Sequence, residues 1–228
     1  MKKLILLSLF FLIAGVCNFM TAQEVKINSN FVIEADGTFR LDGDAAVWDD
    51  MLVAPSATKT GGSKEPSWTK FASNSGSQGV FLYDFSASSE QELYFTVQIP
   101  HSYKIGTAIY PHVHWTTTGT PVKTTADVVW GFEYTVIAIG GNFSATTTSI
   151  LTTGIVQPSG APSGTLQHLI SEFPVINGTG LDISTIFMCR LYRAATLDND
   201  NYLGTAGLLG FDFHYQKDTE GSRTAFDK

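Results

Sequence analysis

The sequence predicts an all-β fold, an antiparallel two-sheet β-sandwich with a jelly-roll-like path. Three observations carry this prediction. No stretch beyond residue 22 sustains a helical period, the apolar residues fall in short runs rich in Val, Ile, Phe, Tyr and Thr, and clusters of Gly, Pro, Ser and Asn separate those runs.

Residues 31–34 and 38–41 flank Ala35-Asp36-Gly37, and Asp-Gly is a strong tight-turn signal, so a hairpin is expected there. Residues 93–99 alternate and stop at Pro100, which has no N–H to give a ladder. Residues 109–117 read as a strand and 128–139 as the longest, with 184–192 and 208–215 as two more. Weaker runs at 146–156 and 166–170 extend the series. Residues 56–79 carry Ser, Thr, Gly and Lys around Trp68 with no period, and read as a long surface loop; 158–164 read as a second irregular connection. So many strands should pack as two sheets, and long crossings suit a Greek-key or jelly-roll path better than a meander.

With 228 residues, 43% hydrophobic and 15% charged, the chain can bury a core and is far from the composition of disorder. A formal charge of -7 and a pI near 5.1 exclude a nucleic-acid partner in the absence of any Lys/Arg cluster beyond the first residues. Lys2 and Lys3 precede an apolar stretch at 4–16 and a polar exit through Asn18, Thr21 and Ala22, which reads as a secretory signal peptide, too short to span a membrane. Residues 1–22 are therefore expected to be removed, leaving 23–228 as one secreted, periplasmic or cell-surface domain. Cys17 leaves with the leader, and Cys189, in the apolar run Ile186-Phe187-Met188-Cys189-Arg190-Leu191, reads as a buried small hydrophobe without a disulfide partner.

Chemistry-bearing residues concentrate between 99 and 115. On a strand, His112 and His114 share one face, and Val113 and Trp115 the other. Two imidazoles on one face can chelate a transition metal. The spacing Gly106-x5-His112-x-His114 resembles the first half of a cupin motif, with His168 as a third candidate ligand. The motif's carboxylate is missing, because Thr116, Thr117 and Thr118 follow. The competing reading makes His101, His112 and His114 structural or interface residues, with Tyr103 and Lys104 at a loop tip that could reach a partner. Asp198-Asn199-Asp200-Asn201 has the look of a solvated turn more than a calcium loop, which would place Gly and a terminal Glu differently. No nucleophile elbow and no phosphate-binding glycine loop occurs in the sequence, and no cofactor is implied. Aromatic residues make up 12% of the chain, and Trp68 and Tyr103, in irregular segments, are the ones expected to be exposed for sugar stacking.

The blocks Trp48-Asp49-Asp50, Ile99-Pro100-His101-Ser102-Tyr103-Lys104, Pro111-His112-Val113-His114-Trp115 and Trp130-Gly131-Phe132-Glu133-Tyr134 are similar to a family of tailed-phage and prophage structural proteins. The likeness continues in Cys189-Arg190-Leu191-Tyr192-Arg193 and Phe213-His214-Tyr215-Gln216-Lys217. It implies a β-sandwich virion-type component without a catalytic residue, and the leader suggests a bacterial relative working outside the cytoplasm. The sequence thus points to a non-catalytic secreted β-sandwich with a structural, assembly or binding role. Its expected partners are further copies of itself, another extracellular or virion protein, or a glycan. A carbohydrate-binding module and a cupin-like metal-binding protein are the alternatives.

Overall fold

A computed structural model describes residues 24–28, 30–118, 126–156 and 166–228. The leader at 1–22 and the connection at 158–164 lie outside the described residues. The chain divides into two compact units between Ala45 and Ala46.

The first unit is a small antiparallel sheet in the order β1-β2-β3, formed by β1 (Val25–Lys26), β2 (Phe31–Ile33) and β3 (Phe39–Leu41). The Asp-Gly turn closes β2 on β3 as expected: Gly37 has φ +90, and Asp36 Oδ1 accepts the Thr38 N–H at 3.1 Å. Phe31 stacks on Phe39 at 5.8 Å.

The second unit holds two antiparallel sheets. Its strands are β4 (Val47–Val53), β5 (Ser67–Ala72), β6 (Val80–Phe85), β7 (Gln91–Gln98), β8 (Ile109–Thr117), β9 (Asp127–Ile137), β10 (Thr148–Ile155), β11 (Leu169–Glu172), β12 (Ile186–Arg193) and β13 (Ala206–Lys217). The smaller sheet runs β10-β9-β12-β7; the larger runs β11-β8-β13-β6-β5, and β4 also pairs with β13. From β7 onward the chain keeps crossing between the layers, so the path is that of a sandwich and not of a meander. No α-helix occurs among the described residues.

The core forms where the inward faces meet. Trp115 of β8 meets Trp130 of β9 edge-on at 6.1 Å, Phe132 of β9 lies 4.9 Å from Phe211 of β13, and Phe187 of β12 lies 5.7 Å from Phe213. All six are buried, and each such side chain contributes ~1.5–3 kcal/mol or more relative to exposure. This core is the rigid backing for both outer faces.

Strands β1, β4, β5 and β6 were not foreseen from the sequence, and for β4 and β5 the cause is shared. Residues 56–79 are not wholly a loop, because β5 lies within them, and β4 was not foreseen. Both border the larger sheet and bury little: β5 has no fully buried residue, and in β4 Val53 alone is buried. Without a buried face a strand needs no apolar alternation, so the pattern that reveals other strands is missing. The longest strand is β13, at 12 residues, against 11 for β9.

Candidate functional site

The strand β8 organises the site. Its Val113 and Trp115 enter the core, so His112 and His114 emerge on the outer face of the larger sheet, as the period-two reading requires. Register then selects their neighbours. On β13, Asp212 stands opposite His112, and His214 opposite Tyr110. On β11, Glu172 is opposite His112 and Ile170 opposite His114. On β4, Asp50 is opposite His214. Residues as far as 164 positions apart, Asp50 and His214, thereby share one surface.

Part of this face is a groove of about 600 Å³ lined by Trp48, Asp50, Tyr110, His112, Glu172 and His214, with Phe173 beneath. Trp48 stacks flat on the His214 ring at 4.7 Å and meets Tyr110 edge-on at 5.5 Å. Asp50 Oδ1 lies 2.7 Å from His214 Nδ1, which fixes that imidazole under the indole. Trp48 is 45% exposed and Tyr110 43%, so the ring pair is held in place yet open to water.

Next to the groove lies a cluster of imidazoles around one carboxylate. Asp212 is 6% exposed although it sits on the outer face. Its Oδ2 lies 3.1 Å from His114 Nε2, and its Oδ1 lies 2.5 Å from His112 Nε2. The second approach is off hydrogen-bond alignment, and Oδ1 has no hydrogen-bond partner among the described residues. His114 Nδ1 meets His168 Nε2 at 2.6 Å, so both nitrogens of His114 are engaged. The adjacent Asp212 carboxylate holds His112 above its ordinary pKa against the opposing effect of burial. Burial pushes His114 below its ordinary value; Asp212 opposes this, and the neighbouring His112 and His168 add to it. Two adjacent imidazoles are thus driven in opposite directions.

The structure unites His112, His114 and His168 as the sequence suggested, and it adds Asp212, which sequence reasoning missed. His168 touches the far nitrogen of His114 and not the carboxylate side. The signal for Asp212 was a carboxylate between Phe211 and Phe213 in a strand otherwise made for a core.

The remaining candidates go elsewhere. His101 links Ser222 Oγ at 2.5 Å and Ser184 Oγ at 2.8 Å, tying the segment after β13 to the turn before β12. Tyr103, expected at an exposed loop tip, is instead fully buried, with its hydroxyl donating to Thr107 O. The tight turn from Pro100 to Gly106 folds that ring inward beside Tyr215. Lys104 donates its backbone N–H to Gln216 O at 2.7 Å. Trp68 is exposed as expected, but on strand β5 and stacked beside Phe81 at 6.1 Å. None of these residues lines the groove. The Asp198–Asn201 turn is not simply solvated either, since Asp200 is buried against Arg193.

A second cavity of about 800 Å³ opens on the smaller sheet between Tyr94, Glu133, Met188 and Arg190. Its arginine is already committed: Arg190 pairs with Glu90 at 2.6 Å, with Glu133 at 3.1 Å, and with Glu92. Charges satisfied internally have little left for a ligand, which favours the groove on the larger sheet.

No family model matches the sequence, and no curated protein does so either. Among solved structures it is similar to TmCBM61 in complex with β-1,4-galactotriose, at 17% identity over 75% of this chain and 88% of that one, with a TM-score of 0.28. That overlap is too loose to transfer a residue or a ligand.

Proposed function

We propose that this protein is a non-catalytic β-sandwich that binds a glycan in the groove on the outer face of its larger sheet. The carrying observation is the open Trp48–Tyr110 pair bordered by Asp50, Glu172 and His112. A sugar ring offers a C–H face to an aromatic ring and hydroxyls to carboxylates and imidazoles. A largely pre-formed, partly aromatic groove with a few convergent polar groups suits such a ligand.

A glycan array probed with the 23–228 chain tests this reading. Binding to at least one glycan class is expected, weakened at least ten-fold by Trp48→Ala, equivalent to about 1.4 kcal/mol. Trp68→Ala should leave it intact. Silence across the array removes the proposal, and loss with Trp68→Ala alone would move the site to β5.

An assembly role is the second reading. Leu52, 70% exposed, and Ile170, 55% exposed, sit on the same outer face and would suit a partner chain. Sedimentation velocity at tens of micromolar separates the two, because a strict monomer ends the self-assembly version. We also propose export, resting on residues 1–22. N-terminal sequencing of protein recovered from outside the cytoplasm should find Gln23 first, and full-length protein found in the cytoplasm alone would count against it.

A further inference from the structure

We infer that His112, His114 and Asp212 bind a divalent first-row transition-metal ion, with His168 positioning His114. The cluster is independent of the glycan reading, because its donors converge whatever occupies the groove.

Register brings the three together. Asp212 stands directly across from His112 on the neighbouring strand, and His114 follows two residues later on the same face. One ligand atom from each lies within 4.8 Å of the others. Ligand atoms on a tetrahedral zinc ion, with bonds of about 2.0–2.2 Å, are about 3.3 Å apart. Small side-chain rotations therefore suffice to close the set around an ion. Two imidazoles and a carboxylate suit zinc or iron(II), whereas magnesium and calcium prefer all-oxygen sets.

The state of Asp212 is the second observation. Its carboxylate is more than nine-tenths buried and directed at both imidazoles, yet Oδ1 lacks an aligned donor among the described residues. Oδ1 lies 2.5 Å from His112 Nε2 without hydrogen-bond alignment, and a cation taken up between the two would coordinate both atoms.

His168 supplies the third. With the proton on Nδ1, His114 donates to His168 Nε2, and its Nε2 lone pair faces Asp212 Oδ2 across 3.1 Å. Two acceptors in that position repel unless a cation lies between them. Holding the distal nitrogen of a ligating histidine in this way fixes its tautomer and orientation. The opposite tautomer instead gives a hydrogen-bonded cluster that needs no ion, and this is the rival to be tested. Access is open: the His112 and His114 side chains are 16% and 20% exposed, and His112 lines the groove. Three protein ligands would leave a tetrahedral ion one position for water or a ligand.

The test is isothermal titration of chelator-stripped, desalted protein with zinc alone, together with cobalt(II) absorption spectroscopy. One zinc per chain and visible bands of low-symmetry cobalt are expected. Asp212→Asn, nearly isosteric, should weaken zinc at least 100-fold, and His112→Asn serves as the second variant should the first fail to fold by circular dichroism. His168→Ala should keep the one-to-one stoichiometry but weaken affinity about 10–100-fold. Less than about a tenth of an ion per chain at 100 µM zinc overturns the inference. So does binding that survives both Asp212→Asn and His112→Asn. Neither result depends on any glycan.

Discussion

Arg193 and Asp200 form an ion pair whose side chains are both fully inaccessible, with Nε on Oδ2 at 3.0 Å and Nη2 on Oδ1 at 2.7 Å. The guanidinium donates further to the carbonyls of Phe85, Gly204 and Tyr202, and Asp200 Oδ2 also accepts the Val129 N–H. The pair thus pins the 194–205 connection between the two sheets. Breaking one partner leaves a buried charge uncompensated. Asp200→Asn is expected to lower unfolding stability by about 3–5 kcal/mol. Chemical denaturation checks it, and a loss below 1 kcal/mol would show that water replaces the pair.

Gly131 lies under the Tyr192 ring as its cross-strand partner, and a Cβ there would overlap the ring atoms. Tyr192 is held from another side by Arg190, whose guanidinium carbon sits 4.1 Å from the ring centroid, and its hydroxyl bonds Ser149 at 3.1 Å. The ring cannot move without losing both contacts. Gly131→Ala should therefore destabilise by roughly 1–3 kcal/mol despite the better intrinsic strand propensity of alanine. An unchanged urea midpoint would show that the ring swings away freely.

Burial pushes the Cys189 thiol far above its ordinary pKa, so little thiolate exists at neutral pH. A disulfide reagent at pH 8 should modify Cys189 only as fast as the protein opens. Denaturant should accelerate labelling by orders of magnitude. Fast labelling of native protein would place the thiol at the surface.

Glu90 has a folded pKa below its ordinary 4.5: burial raises it, but Lys64 and Arg190 outweigh burial. The unfolded chain then takes up the proton first on acidification. The stabilisation is complete above pH 4.5 and is lost as pH falls through the lower folded value. The stability difference between wild type and Glu90→Gln should shrink from pH 6 to pH 3. A difference constant over that range rejects the ion-pair account.

The strands most legible in the sequence were those with one face in the core. Ile109–Thr117 was located to the residue, because Val113 and Trp115 alternate with the histidines. Strands β4 and β5 were invisible because they bury almost nothing. The imidazoles of the candidate site were visible for the same reason as their strand. Asp212, Asp50 and Glu172 were not, because Asp212 and Glu172 meet β8, and Asp50 meets β13, only through pairing across the sheet, which no local pattern encodes. Tyr103 and Asp200 misled in one way. Each lies in a turn-rich segment, and polarity of a segment does not fix the direction of one side chain.

Strand β13 pairs with β8 along one side, and with β6 and then β4 along the other. Every other strand of the larger sheet except β5 and β11 is held through it. A nascent chain cannot close this sheet until residues 206–217 have left the ribosome, because β13 follows β4, β6 and β8 in sequence. Cooperative folding of the sandwich is therefore postponed until that segment has emerged, and the aromatic core waits uncovered until then.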